Sequence, residues 1–138
     1  AIAFSYCKWG SGGDFEASGR MARSVAKRVL EGGLQPGILL NVNIPDLPLA
    51  DIKGCMITRQ ARSKWEESFA ERMDPFDRPY YWLSGKFVNL DSGENTDLWA
   101  VDNGWVSITP IQHDLTAYSA LEGLENWRWG DPAGENNT

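Results

Sequence analysis

Two asparagines in an otherwise apolar strand are the most unusual polar residues of this sequence. They are Asn41 and Asn43, in the stretch LLNVNIPDLP at residues 39–48, where Pro45 interrupts the strand. Alternation along a strand places both amides on one face and the apolar residues between them on the other. Polar side chains at a strand end often carry binding chemistry, but amides also hold neighbouring loop backbone by hydrogen bonds. Both roles are open at this point.

Other residues with reactive side chains form no complete site. His113 in PIQHDLT has only its sequence neighbour Asp114 as a partner, which is insufficient for a general base. The GSGG stretch at residues 10–13 precedes a helix, as a phosphate loop would, but lacks the lysine and glycine spacing of nucleotide loops. Four acids follow no calcium-loop spacing and favour a helix start instead: Asp91, Glu94, Asp97 and Asp102. The tryptophans are scattered, which argues against a sugar-binding surface.

Composition and charge indicate the class of protein. The chain has 138 residues, 42% hydrophobic and 23% charged, which is typical of one globular domain. Its net charge of −6 argues against nucleic-acid binding, because phosphate backbones select basic surfaces. Cys7 and Cys55 have no CxxC partner, so we expect two reduced, buried thiols in a cytoplasmic protein. The sequence contains no membrane-spanning run, and we expect no membrane partner.

The elements that position these residues begin with a strand, AIAFSY, at the first residue. Because folded domains seldom begin inside a buried strand, we expect the chain to be the downstream part of a longer protein. A glycine-rich loop leads to an amphipathic helix with Asp14 as its N-cap, which ends at Gly32 and Gly33. The strand PGILLNVNIP follows. Strand, helix and strand with short links predict a parallel βαβ unit with a right-handed crossover.

The second half of the chain mixes strands with two helices. The stretches IKGCMITRQA and PYYWLSGKFVNL predict strands, so we expect residues 52–90 to form an extended hairpin. A short helix follows, capped by Asn95 or Thr96, and then the strand WVSITP, which we expect Pro110 to end. The final helix is predicted over residues 114–127, with Asp114 either capping it or taking part in chemistry. Residues 128–138 are predicted to be a flexible tail.

Four blocks of this sequence together resemble the downstream half of the SurE family, the survival-protein E nucleotidases. The blocks are GILLNVNIPDL, IKGCMITRQAR, PYYWLSG and NTDLWAVDNGWVSITPIQHDLTA, in this order and with matching spacing. The match runs from residue 1 to about Trp127. The resemblance implies the C-terminal part of a Rossmann-like three-layer α/β/α domain over residues 1–127. It also implies a homo-oligomer, a dimer or a tetramer, whose extended hairpin and C-terminal helix are exchanged between subunits.

The resemblance implies a hydrolase that removes phosphate from nucleoside monophosphates with a divalent metal, Mg or Mn. Such an ion polarises the phosphoryl oxygens and positions a water molecule. The ligands of that metal lie upstream in the family, and this sequence contains neither Asp-Asp-Gly nor a GxNxGxN loop. We therefore assign no catalytic or metal-binding residue to this chain and expect the fragment alone to be inactive. The alternative function is a non-catalytic assembly module.

On this interpretation the chain supplies scaffold and subunit contacts. Asn41 and Asn43 are then best interpreted as amides that fix the chain where it leaves the strand, and substrate contact by either becomes the less favoured alternative. The candidates for structural or interface roles are Asn41, Asn43, Pro45, Tyr81, Trp82, Asp114 and Thr116.

Overall fold

The computed structural model describes residues 1–8, 10, 12–13, 15–127 and 129. The predicted Asp14 cap and nearly all of the predicted tail at residues 128–138 lie outside the described residues, so both stay predictions. The described chain contains six strands, three α-helices and one short 3₁₀ turn at Leu49–Asp51.

The main sheet has four strands in the order β1-β2-β6-β3, namely β1 (Ile2–Cys7), β2 (Ile38–Pro45), β6 (Val106–Gln112) and β3 (Cys55–Ile57). Strands β1 and β2 are parallel and are joined by helix α1 (Phe15–Gly32), which confirms the predicted βαβ unit. Strand β6 runs antiparallel to β2 and parallel to β3, so the sheet is mixed.

The alternation in β2 separates an apolar face from a polar one, as the sequence predicted. Leu40, Val42 and Ile44 are buried on one face, where they pack with residues of β6 and with Val25 of α1. This face forms the hydrophobic core. Asn41 and Asn43 point to the opposite face and are partly exposed. Helix α2 (Asp97–Asp102) packs against β2 and β6 on that polar side.

The predicted hairpin at residues 52–90 begins too early in the chain. Its first predicted strand is β3, which is a member of the main sheet beside β6. The hairpin consists instead of β4 (Ser63–Met73) and β5 (Pro79–Asn89), paired antiparallel over their full lengths. The sequence did not indicate β4 because Glu67 and Glu71 lie on the same face as its large apolar residues, so apolar and polar faces do not alternate along the segment.

Strand β6 continues through Pro110 to Gln112, so the prediction that Pro110 ends it was wrong. Thr58 donates its N–H to the carbonyl of Ile108, which places this edge of β6 toward β3. Backbone groups alternate sides along a strand, so the nitrogen of Pro110 also faces that edge, beyond the end of β3. The missing N–H therefore costs no sheet hydrogen bond.

The two cysteines and the two later helices complete the described fold. Cys7 and Cys55 are free and exposed, which corrects the prediction that they are buried. Thr96 caps α2, as predicted, by accepting a hydrogen bond from the N–H of Trp99 at 3.2 Å. Helix α3 spans Tyr118–Glu125, shorter than the predicted 114–127, and it has no buried residue.

Candidate functional site

The carboxyl ends of β1 and β2 lie side by side and form one edge of the sheet. Cys7 is opposite Pro45 in the register, and the chain turns away immediately after both strands. Ligands of open α/β sheets bind outside the carboxyl ends of parallel strands. This edge is therefore the candidate site of the chain. Asn43 lies close to it, two residues before the end of β2.

A charged cluster that the sequence did not indicate lies at this edge. The hydroxyl of Tyr6 donates to the carboxylate of Asp46, and Nζ of Lys8 is 3.0 Å from the second carboxylate oxygen. The Tyr6 hydrogen bond and then the Lys8 hydrogen bond lower the pKa of Asp46, while Asp46 raises the pKa of Lys8. The ammonium group of Lys8, at the end of β1, is therefore paired with Asp46. Tyr6 and Lys8 are close in the sequence, but Asp46 is 40 residues from Tyr6, so no local pattern indicated that the three side chains meet.

The polar sheet face extends from this edge under α2. Its buried members are Thr58, Ser107 and Thr109, and the hydroxyls of Thr58 and Thr109 are 2.8 Å apart. Ser107 is opposite Asn43 in the register and is 0% exposed, yet its Oγ has no hydrogen-bond partner in the described part of the chain. A buried hydroxyl without a partner is uncommon, because it has lost its water without replacement.

Asn41 and Asn43 have the positions that the sequence predicted but not the contacts. Neither side-chain amide makes a hydrogen bond with any described residue. The predicted hydrogen bonds from these amides to the loop backbone are therefore absent among the described residues. Pro45 is the last residue of β2, and its carbonyl accepts from the N–H of Leu47 at 2.9 Å, which begins the turn away from the sheet. The two amides are available to groups outside the described residues.

Tyr81 and Trp82 lie on the hairpin, away from the sheet edge. Tyr81 shares a face with Phe69 and Leu83, whereas Trp82 points to the other face, where the guanidinium of Arg72 lies 6.0 Å from its ring centroid. Tyr81 is 64% exposed and Trp82 is 58% exposed. Both residues therefore present large apolar surfaces to solvent, as expected of interface candidates.

Asp114 does not cap the last helix. The N-cap of α3 is Ala117, without a side-chain bond, and Asp114 instead accepts from the N–H of Thr116 at 2.9 Å and from the hydroxyl of Tyr118. These two groups, with Tyr118 the stronger, lower the pKa of Asp114 to about 2. The carboxylate of an aspartate turns back on its own backbone here, a local turn that competes with capping.

The structure does not bring the predicted site residues into one place. They lie on the sheet, on the hairpin and in the segment before α3. Among the described residues no group of three or more His, Cys, Asp and Glu side chains is close enough to hold a metal ion. The donor set that a catalytic divalent ion requires therefore does not fit the described part of this chain. None of the described helices combines the length and the apolar composition that crossing a membrane requires.

Comparison with known proteins shows which family this chain resembles. Residues 1–67 match the family profile described as Survival protein SurE. Over 131 residues, or 95% of this chain, the sequence is 46% identical to the 5'-nucleotidase SurE of Christiangramia forsetii. Along nearly its whole length, the chain is similar to members of the SurE family. It is also 45% identical, over 127 residues, to the 5'-nucleotidase SurE of Flavobacterium psychrophilum.

The similarity to SurE covers nearly all of this chain and half of each relative. The match includes 50% of the first relative and 49% of the second, so the chain spans about half the length of the curated relatives it matches. The crystal structure of the SurE protein from Aquifex aeolicus is similar, with a TM-score of 0.73 and 36% identity over 90% of this chain and 50% of that one. The predicted Rossmann-like α/β fold is confirmed. The exchange of α3 between subunits stays a prediction.

Proposed function

We propose that this chain is the scaffold half of a SurE-type 5'-nucleotidase, which hydrolyses nucleoside monophosphates to nucleoside and phosphate. The observation that carries the proposal is its 46% identity, over 95% of its length, to a protein named 5'-nucleotidase SurE. The site agrees with this division of labour. Two partly exposed amides without a partner among the described residues, and one buried hydroxyl also without one, face the polar side of the sheet beside the strand ends.

The proposed catalytic metal, Mg or Mn, is held by residues outside this chain. Isothermal titration of the 138-residue chain with MnCl₂ tests this part of the proposal. We expect no stoichiometric binding tighter than about 10 μM, because scattered surface carboxylates hold divalent ions only weakly. The same chain extended by its upstream reading frame should bind the ion and release phosphate from nucleoside monophosphates. Phosphate release by the 138-residue chain alone would contradict the proposal.

We further propose that the intact protein is a homo-oligomer, a dimer or a tetramer, and that the hairpin contributes to its interface. One face of the hairpin carries six large apolar residues, all exposed: Trp65, Phe69, Met73, Tyr81, Leu83 and Phe87. A two-stranded hairpin is at best marginally stable in water, so a cover for this face would stabilise it. Helix α3 has an exposed apolar stripe as well, with Leu115 95% exposed ahead of it.

Light scattering after size exclusion tests the assembly. The intact protein, which is the parent in this test, should elute at a multiple of its own monomer mass. Phe69→Glu replaces one of these six apolar side chains by a third carboxylate beside Glu67 and Glu71, which lie on the same face, and should shift the mass toward one monomer. Ser68→Glu is the matched control, because Ser68 is the neighbouring residue on the opposite face. A monomeric parent, or equal effects of the two variants, would count against an interface on this face. A location in the cytoplasm is proposed with this function, and the alternative of a non-catalytic assembly module is not favoured by the comparisons.

A further inference from the structure

The base of the hairpin is its only extensive attachment to the rest of the described chain. Strands β4 and β5 pack on each other, and no other described helix or strand packs on them to a comparable extent. The direction in which the hairpin extends from the sheet therefore depends on the residues that precede Ser63 and follow Asn89.

Asp91 is the centre of the hydrogen bonding at this base. Its carboxylate accepts two bonds from the guanidinium of Arg59, at 2.6 and 2.9 Å, in a bidentate arrangement. It also accepts from the N–H of Gly93 at 3.0 Å and from that of Arg62 at 3.2 Å. The side chain of Asp91 is only 10% exposed. Arg59, and then the two N–H groups, hold the pKa of Asp91 well below its usual range.

The network around Arg59 joins three parts of the chain. Its backbone N–H donates to the carbonyl of Asn95, and its carbonyl accepts from the N–H of Asp97, so the end of the β3 segment is tied to the start of α2. Its Nε donates to the side chain of Asn95 at 3.1 Å. The carboxylate of Asp97 accepts from the N–H of Ala61 at 2.9 Å. Both ends of the hairpin are thus connected to the sheet and to α2.

We propose that Arg59 and Asp91 are positioning residues, which hold the hairpin in one direction so that its apolar face is presented, already oriented, to a second copy of the chain. A bidentate arginine–carboxylate pair is directional, unlike a contact between two point charges. Orientation before binding lowers the entropy lost on association. The part that concerns a second copy rests on the proposed assembly, whereas the fixed direction of the hairpin does not.

The hairpin contains a matched control for this pair. At its tip, Asp74 accepts from Nε of Arg78 at 2.9 Å and from the N–H groups of Phe76 and Arg78 at 2.8 and 3.0 Å. The chemistry is the same as at the base, an aspartate that joins an arginine to two backbone amides. This pair closes only the turn between the strands. Its loss should loosen the tip and leave the direction of the hairpin unchanged.

Double electron–electron resonance, which measures the distance between two spin labels, tests the proposal. The labels are placed at Lys86→Cys on the hairpin and Arg23→Cys on α1. The protein also carries Cys7→Ser, Cys55→Ser and Phe69→Glu and is measured at dilute concentration. We expect a narrow distance distribution for the parent, at least a twofold broader one for Asp91→Asn, and an unchanged one for Asp74→Asn. A distribution as narrow in folded Asp91→Asn as in the parent would overturn the proposal.

A second variant disturbs the pair of Arg59 and Asp91 without changing either residue. A Cβ at Gly93 would lie 2.5 Å from Nη2 of Arg59, so Gly93→Ala displaces the guanidinium without removing a charge. It should broaden the distribution as Asp91→Asn does, and it serves as the test if that variant fails to fold.

Assembly is measured separately, in the background that retains Phe69. Asp91→Asn should weaken it tenfold or more, and Asp74→Asn should not. If the distances broaden while assembly is unchanged, the orientation for a second copy is wrong. If the parent is monomeric, the proposed assembly fails, and the distance measurement still decides whether the hairpin direction is fixed.

Discussion

Replacing Ser107 by alanine should stabilise the 138-residue chain. The hydroxyl of Ser107 is 0% exposed and has no partner among the described residues, so it has lost hydrogen bonds to water without replacement. Such a loss costs about 1–3 kcal/mol. Removing the oxygen recovers this cost but leaves a void on the order of 10 Å³, which costs about 0.2 kcal/mol at roughly 24 cal/mol per Å³. We expect a net gain of about 1 kcal/mol.

Urea denaturation is the appropriate measurement. The slope of the free energy of unfolding against urea concentration should be the same in both proteins, because an unchanged slope shows that the same surface is exposed on unfolding. Thr109→Val is the matched control. It removes a hydroxyl of similar burial that lies 2.8 Å from the hydroxyl of Thr58, and leaves that second group buried and unpaired. This variant should lose about 1–2 kcal/mol.

The sign of the Ser107 effect also reports on the proposed upstream half. If that half supplies a partner for Ser107, the same substitution should destabilise the extended protein by about 1 kcal/mol. A loss of stability already in the 138-residue chain would refute the reasoning, because it would show that the hydroxyl has a partner within this chain.

Three further expectations concern single elements. Thr96→Ala should lose about 1 kcal/mol, whereas Thr96→Ser should lose less, because only the first removes the cap of α2; equal losses in thermal unfolding would contradict this. The folded pKa of Asp114, about 2, lies below its ordinary value of 3.8, so its contribution to local order is complete above about pH 4 and disappears as the pH falls toward 2. Amide exchange at Tyr118 should follow this change, and Asp114→Asn should abolish the pH dependence. Val42→Ala at a fully buried site should cost about 2 kcal/mol in urea denaturation, and Ile57→Ala, at a residue 69% exposed, should cost little.

The sequence determined the elements whose signal is local. Alternation in LLNVNIP predicted which face of β2 is apolar, because successive side chains on any strand point to opposite sides. The spacing of strand, helix and strand predicted the parallel pair β1 and β2, since a crossover of this length has one common solution. Residue type limited the cap of α2 to Asn95 or Thr96, and the structure shows that it is Thr96.

Tertiary structure decided what depends on residues distant in the chain. The prediction that the hairpin begins at residue 52 was wrong because β3 pairs with β6 in the main sheet. Only the assembled sheet shows this pairing. Asp114 turned toward Thr116 and Tyr118 rather than capping a helix, a choice between two local hydrogen-bonding patterns that one sequence does not distinguish.

The same limit applies to the contacts that carry the candidate site and the hairpin base. Arg59 and Asp91 are 32 residues apart, and Tyr6 and Asp46 are 40 apart. Their side chains meet because the sheet and its loops bring them together, and no periodicity in the sequence encodes such a meeting. Burial of Ser107 is a further example. Nothing in the sequence indicated that its hydroxyl is buried in the folded sheet without a partner among the described residues.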